Sequence, residues 1–269
     1  MPMRVARIFF AILPFLSGFV ACKKVVQVDL NNAAPQIVIE GEVTDMPGPY
    51  QVKISKTVPF GSGNNFPPVN GAIVRITDST TGFTSALLEN DSSGIYRTNA
   101  FVGQHGHTYL LSVNSEGMSY AASSAMPAAV RLDSVNFVRN LDLNNKPAIN
   151  AVANFQDPPG PGNKYQFTEF VNGVQVPQIF VFEDRLSDGR YIRNTLYNDT
   201  VRLHQNDTVL VRMNCIDRNI YDYFFTLLQI SGNGNFQSAS PANPNSNLSN
   251  GALGYFSAHT VSQKSLVVY

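Results

Sequence analysis

The sequence predicts a mainly β protein built from two β-sandwich-like domains in tandem, of which the second carries one packed α-helix. Three observations lead to this prediction. Short stretches of β-branched or alternating residues recur along the 269-residue chain. Gly, Pro, Asn and Asp separate them at intervals of about 8–12 residues, which is typical of β-sandwiches. A single stretch near the C-terminal end has the periodicity of a helix instead.

The first sandwich is predicted over residues 36–126. Turn signals such as Asn70-Gly71 and Thr81-Gly82 separate successive strands. The gap Val58–Val69 is rich in Gly, Asn and Pro and is predicted to be a loop. The strands expected here are Gln36–Val43, Tyr50–Thr57, Ala72–Thr77, Phe83–Leu88, Gly94–Thr98, His107–Asn114 and Ser119–Ser124.

The second β-rich domain is predicted over residues 130–269, after a boundary at Met126-Pro127-Ala128-Ala129. The Pro-rich stretch that starts at Asp157 has to be a loop, because proline cannot donate a hydrogen bond to a central strand. The strands expected here are Val130–Val138, Ala148–Phe155, Lys164–Val171, Gln178–Phe182, Thr200–His204, Thr208–Ile216, Tyr255–Val261 and Leu266–Tyr269.

The one helix is predicted at about residues 218–231. Its apolar residues recur three or four positions apart and form one stripe, which predicts that the helix packs across a sheet. Asp217 is a suitable N-cap, and Ser231-Gly232 a suitable stop. The polar stretch Gly232–Gly251, rich in Asn and Ser, is predicted to be a long surface loop.

Residues 1–21 have the order of a secretory signal peptide. Arg4 and Arg7 supply a basic start, Ile8–Leu16 is almost wholly apolar, and small residues follow. The apolar run is shorter than the roughly 20 residues that a membrane-spanning helix needs. We therefore expect this segment to direct export and to be removed.

Cys22 directly follows Ala21, as in a bacterial lipobox, in which the cysteine is acylated and becomes the first residue of the mature chain. We therefore expect lipidation at Cys22, a lipidated tether over residues 22–35, and attachment to a membrane. Phe19 stands where a lipobox usually has leucine. The alternative is an ordinary signal peptide that is cut nearby, with Cys22 incidental.

Charge and composition argue against nucleic acid as a partner. The chain has 19 basic and 19 acidic residues, and loss of residues 1–21 removes two arginines, which leaves a formal net charge of −2. That balance gives no basic footprint for nucleic acid. The remaining cysteine, Cys215, shares a strand face with Val209, Val211 and Met213, which predicts a buried apolar role rather than a reactive thiol.

Two patterns resemble known families. Gly71-Ala-Ile-Val-Arg-Ile-Thr-Asp78, Gly94-Ile-Tyr96 and Gly106-His-Thr-Tyr-Leu-Leu-Ser-Val113 resemble the transthyretin-like regulatory sandwich of carboxypeptidase tails and of the N-termini of TonB-dependent receptors. From about residue 22 to 269, the chain resembles the Bacteroidota lipoproteins of the domain-of-unknown-function 4249 family. The segments that carry this likeness include Ile37-Val-Ile-Glu-Gly41, Gly48-Pro-Tyr-Gln-Val-Lys-Ile-Ser-Lys56, Asn65-Phe-Pro-Pro-Val69, Asp217 to Tyr223 and Ala242 to His259.

The second resemblance implies an outer-membrane-associated lipoprotein that is often encoded beside a TonB-dependent receptor. The family has no established activity, so it implies no catalytic residue. Surface-exported lipoproteins of this phylum tend to have acidic residues just after the cysteine, whereas this chain has Lys23 and Lys24. The face of the membrane, cell surface or periplasm, is therefore left open.

Three groups of residues have side chains of the types used in catalysis or metal binding, but none leads to an expected catalytic residue, metal or cofactor. His105 and His107 could share a strand face, but a zinc site needs three or four ligands. Ser257 and His259 lie close in sequence without a nucleophile-elbow motif, so an alternating strand is the simpler interpretation. The acidic run Glu183, Asp184 and Asp188 could hold calcium from a loop, but it lacks EF-hand spacing and a solvated turn is favoured.

Loop aromatics are the predicted partner contacts. Phe60, Phe66 and Phe236 lie among Gly, Asn and Pro, and exposed aromatics of this kind anchor interfaces. The alternative is that these rings pack on their own domain. The resulting hypothesis is a non-enzymatic accessory partner of a TonB-dependent receptor in nutrient uptake. The alternative hypothesis is a surface adhesin or carbohydrate-binding module, which an aromatic-lined groove would favour.

Overall fold

The computed structural model describes residues 34–59, 63, 65–142, 145–231 and 243–269. In these residues the fold is mainly β, with sandwich-like packing of large sheets and a single helix, which confirms the predicted fold class. Within the described part of the chain, no helix combines the length and the apolar character needed to cross a membrane.

Seven strands precede the predicted boundary at Met126. They are β1 Ile37–Thr44, β2 Gln51–Lys56, β3 Ile73–Asp78, β4 Thr84–Glu89, β5 Ile95–Arg97, β6 Thr108–Ser115 and β7 Met118–Ala125. The remaining elements are β8 Leu132–Leu141, β9 Pro147–Gln156, β10 Lys164–Val171, β11 Val174–Gln175, β12 Phe180–Glu183, β13 Tyr191–Leu196, β14 Thr208–Cys215, α1 Arg218–Ile230 and β15 Leu253–Val267.

One sheet runs through most of the molecule in the order β11-β10-β14-β15-β1-β2-β5-β4-β3-β6-β7, with β12 also paired to β10. A second sheet has the order β13-β9-β8. The pairing of β1 with β15 is parallel, whereas the other pairings among the described strands are antiparallel. β15 therefore joins strands from the two ends of the chain.

Two separate cores lie on the same face of this central sheet. The first core is enclosed by the strands that precede Met126, and the second lies between β10 and β14 on one side and the small β13-β9-β8 sheet on the other. Phe256 and Ala258 of β15 belong to the first core, whereas Val268, just after β15, belongs to the second. The sequence predicted that all of residues 130–269 belong to the second domain, and it did not indicate that part of β15 packs in the first core.

Close approach of β1 and β15 depends on glycine. Gly254 has a φ of +93° and pairs with Ile39, and a Cβ at Gly254 would collide with the carbonyl oxygen of Ile39. Gly41 faces Phe256 across the same pairing and is also crowded by Val52. Side chains at these two glycines would force the parallel pair apart.

The helix forms and packs as its sequence predicts. Asp217 is the N-cap, and its Oδ1 accepts a hydrogen bond of 3.0 Å from the amide of Ile220. Its Oδ2 accepts bonds from Ser124 Oγ and from the amide of Ala125, which ties the start of α1 to β7. The buried stripe of α1 packs with Tyr255 on the face of the central sheet that is opposite the cores.

Two predictions about strands in the second half are wrong in detail. Residues Thr200–His204 alternate in the sequence but form no strand, because Asn198 Oδ1 accepts hydrogen bonds from the amides of Thr200 and Val201 and so holds a turn. The strand β13 was not anticipated at all. Tyr255–Val261 and Leu266–Tyr269 were predicted as separate strands, but residues 253–267 form the single strand β15.

Candidate functional site

A polar cleft lies on the open face of β10, β14, β15 and β1, the face opposite both cores. Its volume is about 460 Å³, and Phe224 of α1 forms part of its wall. We call it the Arg212 cleft. The polar groups on which its chemistry depends are Gln166, Thr168, Arg212, Asn214, His259 and Gln263, with Glu42 at the mouth.

Strand alternation places these side chains together. On β14 the odd-numbered residues from Val209 to Cys215 face the second core, so Arg212 and Asn214 point to the open face. In the register of the sheet, Arg212 lies between Thr168 of β10 and Gln263 of β15. Residues directly opposite each other on neighbouring strands share a face. The polar side chains of β10, β14 and β15 therefore form rows across the sheet at the cleft.

Arg212 has no polar partner among the described residues. Its guanidinium carbon lies 5.4 Å from the centre of the Phe170 ring, a cation–π contact that fixes one face of the group. Its Nε is buried and has no hydrogen-bond partner, and no ion pair with it occurs in the described part of the chain. A guanidinium offers five N–H donors, so Arg212 brings unused donors into the cleft.

Asn214 is also incompletely bonded. It is 5% exposed, and its Nδ2 donates a hydrogen bond of 3.2 Å to Gln166 Oε1. Its Oδ1 is buried without a partner. A buried polar atom without a hydrogen bond costs about 1–3 kcal/mol, so this arrangement at the base of the cleft is unfavourable for folding alone.

Arg212 is the cation of the cleft at neutral pH. Burial, together with the nearby positive charge of Arg212, lowers the pKa of His259 to about 4, so its imidazole is neutral at pH 7. Glu42 is exposed at the mouth, yet desolvation by the surrounding protein raises the pKa of its carboxyl, an effect that Arg212 opposes. The arrangement suits the binding of a polar solute that carries a negative charge.

The Ser257 and His259 pair does not form a nucleophilic site. Ser257 Oγ lies 2.9 Å from His259 Nδ1, but Ser257 is 2% exposed and a substrate cannot reach it. Among the described residues, no carboxylate bonds the imidazole as the third member of a triad would. Phe256 and Ala258 point into the first core, in agreement with the alternating-strand interpretation.

The acidic residues near position 184 cluster differently from the sequence expectation. Oxygen atoms of Asp157, Asp184 and Asp188 lie within 4.8 Å of one another, whereas Glu183 pairs with Lys164 instead. The three aspartates accept backbone N–H bonds from the Pro-rich loop and the turn after Asp188, such as Gly162 N to Asp184 at 2.9 Å. These bonds give the cluster a structural role in holding the loop.

The two histidines at 105 and 107 have different surroundings. His105 is exposed, whereas His107 Nδ1 lies 2.8 Å from Asp78 Oδ2. Burial alone would raise the pKa of Asp78, but hydrogen bonds from His107, Thr81 and Thr80 lower it. His107 therefore takes part in a hydrogen bond with Asp78 at the end of β3.

Of the predicted contact residues, Phe66 is described and is 47% exposed. Backbone bonds from Lys56 N to Pro67 O and from Val69 N to Ile54 O hold the chain after Phe66 against β2. Phe60, Phe236 and the predicted lipidation site Cys22 lie outside the described residues. Sequence reasoning missed the Arg212 cleft. A usable signal was the alternation along β14, where Arg212 and Asn214 lie on the face opposite the apolar residues.

The depressed pKa of His259 predicts a loss of stability in acid. The unfolded chain binds a proton at this residue below a pKa of 6.5, whereas the folded chain does so only below about 4. Stability therefore rises with pH between about 4 and 6.5, by up to about 3 kcal/mol from this group. His259→Asn removes the titration and keeps a polar atom near Ser257. Urea unfolding at pH 7 and at pH 4 should show a loss smaller by about 2–3 kcal/mol in this variant. His105→Asn, at an exposed site, is the control, and equal losses in wild type and His259→Asn would contradict the prediction.

A search of curated proteins gave no match. One family model matches residues 23–265, and its description is a domain of unknown function, DUF4249. Because this match spans nearly the full length, including the Arg212 cleft and all described strands except the last two residues of β15, the chain belongs to the DUF4249 family.

Proposed function

We propose that the chain is a lipid-anchored, non-enzymatic binding protein of a Bacteroidota outer membrane, where it assists a TonB-dependent receptor in nutrient uptake. The observation that carries this proposal is the N-terminal order of Arg4 and Arg7, the apolar run Ile8–Leu16 and then Cys22. Membership of the DUF4249 family, together with the resemblance of the first sandwich to transthyretin-like modules of such receptors, supports it.

Acylation of Cys22 would give a stable anchor. Each buried CH₂ contributes about 0.8 kcal/mol, and more than one chain is needed for firm attachment. Bacterial lipoproteins usually carry three chains. Lys23 and Lys24 would add attraction to anionic headgroups of about 1 kcal/mol each. Residues 22–35 could reach at most about 50 Å if fully extended, which is enough to hold β1 clear of the membrane surface.

Acylation is tested by metabolic labelling. The full chain is expressed in a Bacteroidota host with an alkynyl palmitate, and the label is expected on wild type but not on Cys22→Ala. Cys215→Ala is the matched control, because Cys215 is buried in the second core and should leave labelling unchanged. Label on both wild type and Cys22→Ala, or on neither, would refute the anchor.

The receptor partnership is tested by co-purification. After mild cross-linking and detergent extraction, the full chain is expected to recover a TonB-dependent receptor identifiable by mass spectrometry. Phe66→Ala should reduce recovery by about fivefold or more if Phe66 anchors the interface. Leu88→Ala, at an exposed apolar position on β4, is the control. Recovery of no such receptor in repeated trials would count against the partnership.

A second function, carbohydrate binding, is favoured by one specific groove. The groove has a volume of about 630 Å³ and is lined by Tyr191, Tyr221, Phe225 and several arginines. The rings of Tyr221 and Phe225 stack, with centroids 5.7 Å apart and planes 12° apart, and Tyr191 is 53% exposed. The exposed rings of Tyr191 and Phe225 suit the apolar faces of sugar rings.

Glycan binding is tested with the full chain, purified in detergent, on a glycan array. If the groove binds sugar, Tyr191→Ala should weaken the signal by about tenfold. Tyr197→Ala is the control, because Tyr197 is similarly exposed but does not line the groove. An array signal no higher than background, or one unaffected by Tyr191→Ala, would remove this second function.

A further inference from the structure

The Arg212 cleft has features that folding alone does not explain. A partly buried guanidinium has lost some of its hydration, and proteins normally compensate with a carboxylate or with several hydrogen bonds. Arg212 makes no ion pair at contact distance and no side-chain hydrogen bond among the described residues; it stacks on Phe170, and the Glu42 carboxylate attracts it only from beyond contact distance. Asn214, directly along the same strand face, has a buried acceptor without a donor. Two polar groups with unused hydrogen-bonding capacity therefore line the same cavity, an arrangement that suits a polar ligand.

The charge of the cleft indicates what the ligand carries. Arg212 is the cation, His259 is neutral at pH 7, and the carboxylate of Glu42 stands at the mouth. A single negative charge matches a single guanidinium. The carboxylate of Glu42 repels any anion in the cleft, and it repels a dianionic phosphate group more strongly than a monocarboxylate. A carboxylate also matches the planar fork of arginine, which can donate two parallel N–H bonds to it.

The neutral lining indicates the rest of the ligand. Thr168 and Gln263 flank Arg212 in the sheet register, and Gln166 bonds Asn214 nearby. Amides and hydroxyls both donate and accept, so they suit a solute with hydroxyl or N–H groups. The volume of about 460 Å³ falls within the range of roughly 300–1,000 Å³ that is usual for small-molecule sites.

We propose that the Arg212 cleft binds a small polar monocarboxylate, whose carboxylate pairs with Arg212 and whose hydroxyl or N–H groups bond Gln166, Asn214 and Gln263. This inference goes beyond the proposed function, because it holds whether or not Cys22 is acylated and whether or not a receptor is bound. It also differs from the carbohydrate hypothesis, since it concerns another cavity and requires a negative charge on the ligand.

The test is calorimetric titration of the full chain, purified in detergent at pH 7 and low salt. The probes are glucuronate, lactate and N-acetylalanine, each with its neutral amide, together with inorganic phosphate. We expect saturable binding of at least one carboxylate, with its amide about ten- to hundredfold weaker. Binding of no carboxylate, equal binding of carboxylate and amide, or tighter binding of phosphate would overturn the proposal.

Variants assign the binding to Arg212. Arg212→Gln should abolish the preference for carboxylate over amide, and Arg212→Lys should keep the charge but weaken binding by about tenfold, because lysine lacks the planar fork. Arg75→Gln, at an exposed position on β3, is the matched control and should bind as wild type does. Unchanged carboxylate preference in a folded Arg212→Gln protein would overturn the assignment.

A measurement on the wild type keeps the test decisive if Arg212→Gln does not fold. Phenylglyoxal modifies accessible arginines, and mass spectrometry can follow the peptide that contains Arg212. The bound carboxylate should slow modification of Arg212 severalfold, and its amide should not, while modification of Arg75 serves as the internal reference. Equal protection by carboxylate and amide, or none by either, would contradict the proposed site.

Discussion

The parallel pairing of β1 with β15 is the constraint on which the rest of this structure depends. β1 is the first strand of the first sandwich, and β15 is the last described strand and also pairs with β14 of the second domain. The hydrogen bonds between β1 and β15 therefore connect the parts of the sheet that cover the two separate cores. The pairing has a strict steric condition at Gly254, whose Cβ position is occupied by the backbone of Ile39. Parallel pairs need a long crossover connection, and here almost the entire chain is that connection.

This pairing also creates the open face on which the Arg212 cleft lies. Both cores pack on the same face of the sheet formed by β1, β15, β14 and β10. The opposite face is therefore covered by neither core. The helix α1 covers one part of that face through Tyr223 and Phe224, packed on Tyr255. The remaining part is polar, and its walls come from the helix on one side and the sheet on the other. Small-molecule sites commonly occur at junctions between packed parts of a protein, and the cleft lies at such a junction.

The sequence predicted local structure better than assembly. The alternation from Val209 to Cys215 identified the core face of β14, and Asp217 marked the start of α1, because both signals depend on neighbouring residues. The cleft depends on the order β10-β14-β15, which brings Gln166 beside Asn214, 48 positions along the chain. No local pattern specifies that order. Likewise, Asp184 and Asp188 drew attention in the sequence, but Asp157 joins them only through the folded Pro-rich loop. The alternating pattern of Thr200–His204 led to a wrong strand prediction. The amides of Thr200 and Val201 donate hydrogen bonds to the side chain of Asn198 instead of to a neighbouring strand.

The contrast between a buried acid on β10 and a partly buried guanidinium on β14 shows why the cleft invites a functional interpretation. Glu169 faces the second core, and burial raises the pKa of its carboxyl to about 7. One of its oxygens accepts a hydrogen bond from Asn198 and the other has no partner among the described residues, but a proton can neutralise the group. Arg212, on the other face, cannot lose its proton at any ordinary pH and has no acceptor among the described residues. Glu42 attracts the guanidinium from beyond contact distance, so its N–H donors are left to water or to the carboxylate proposed above.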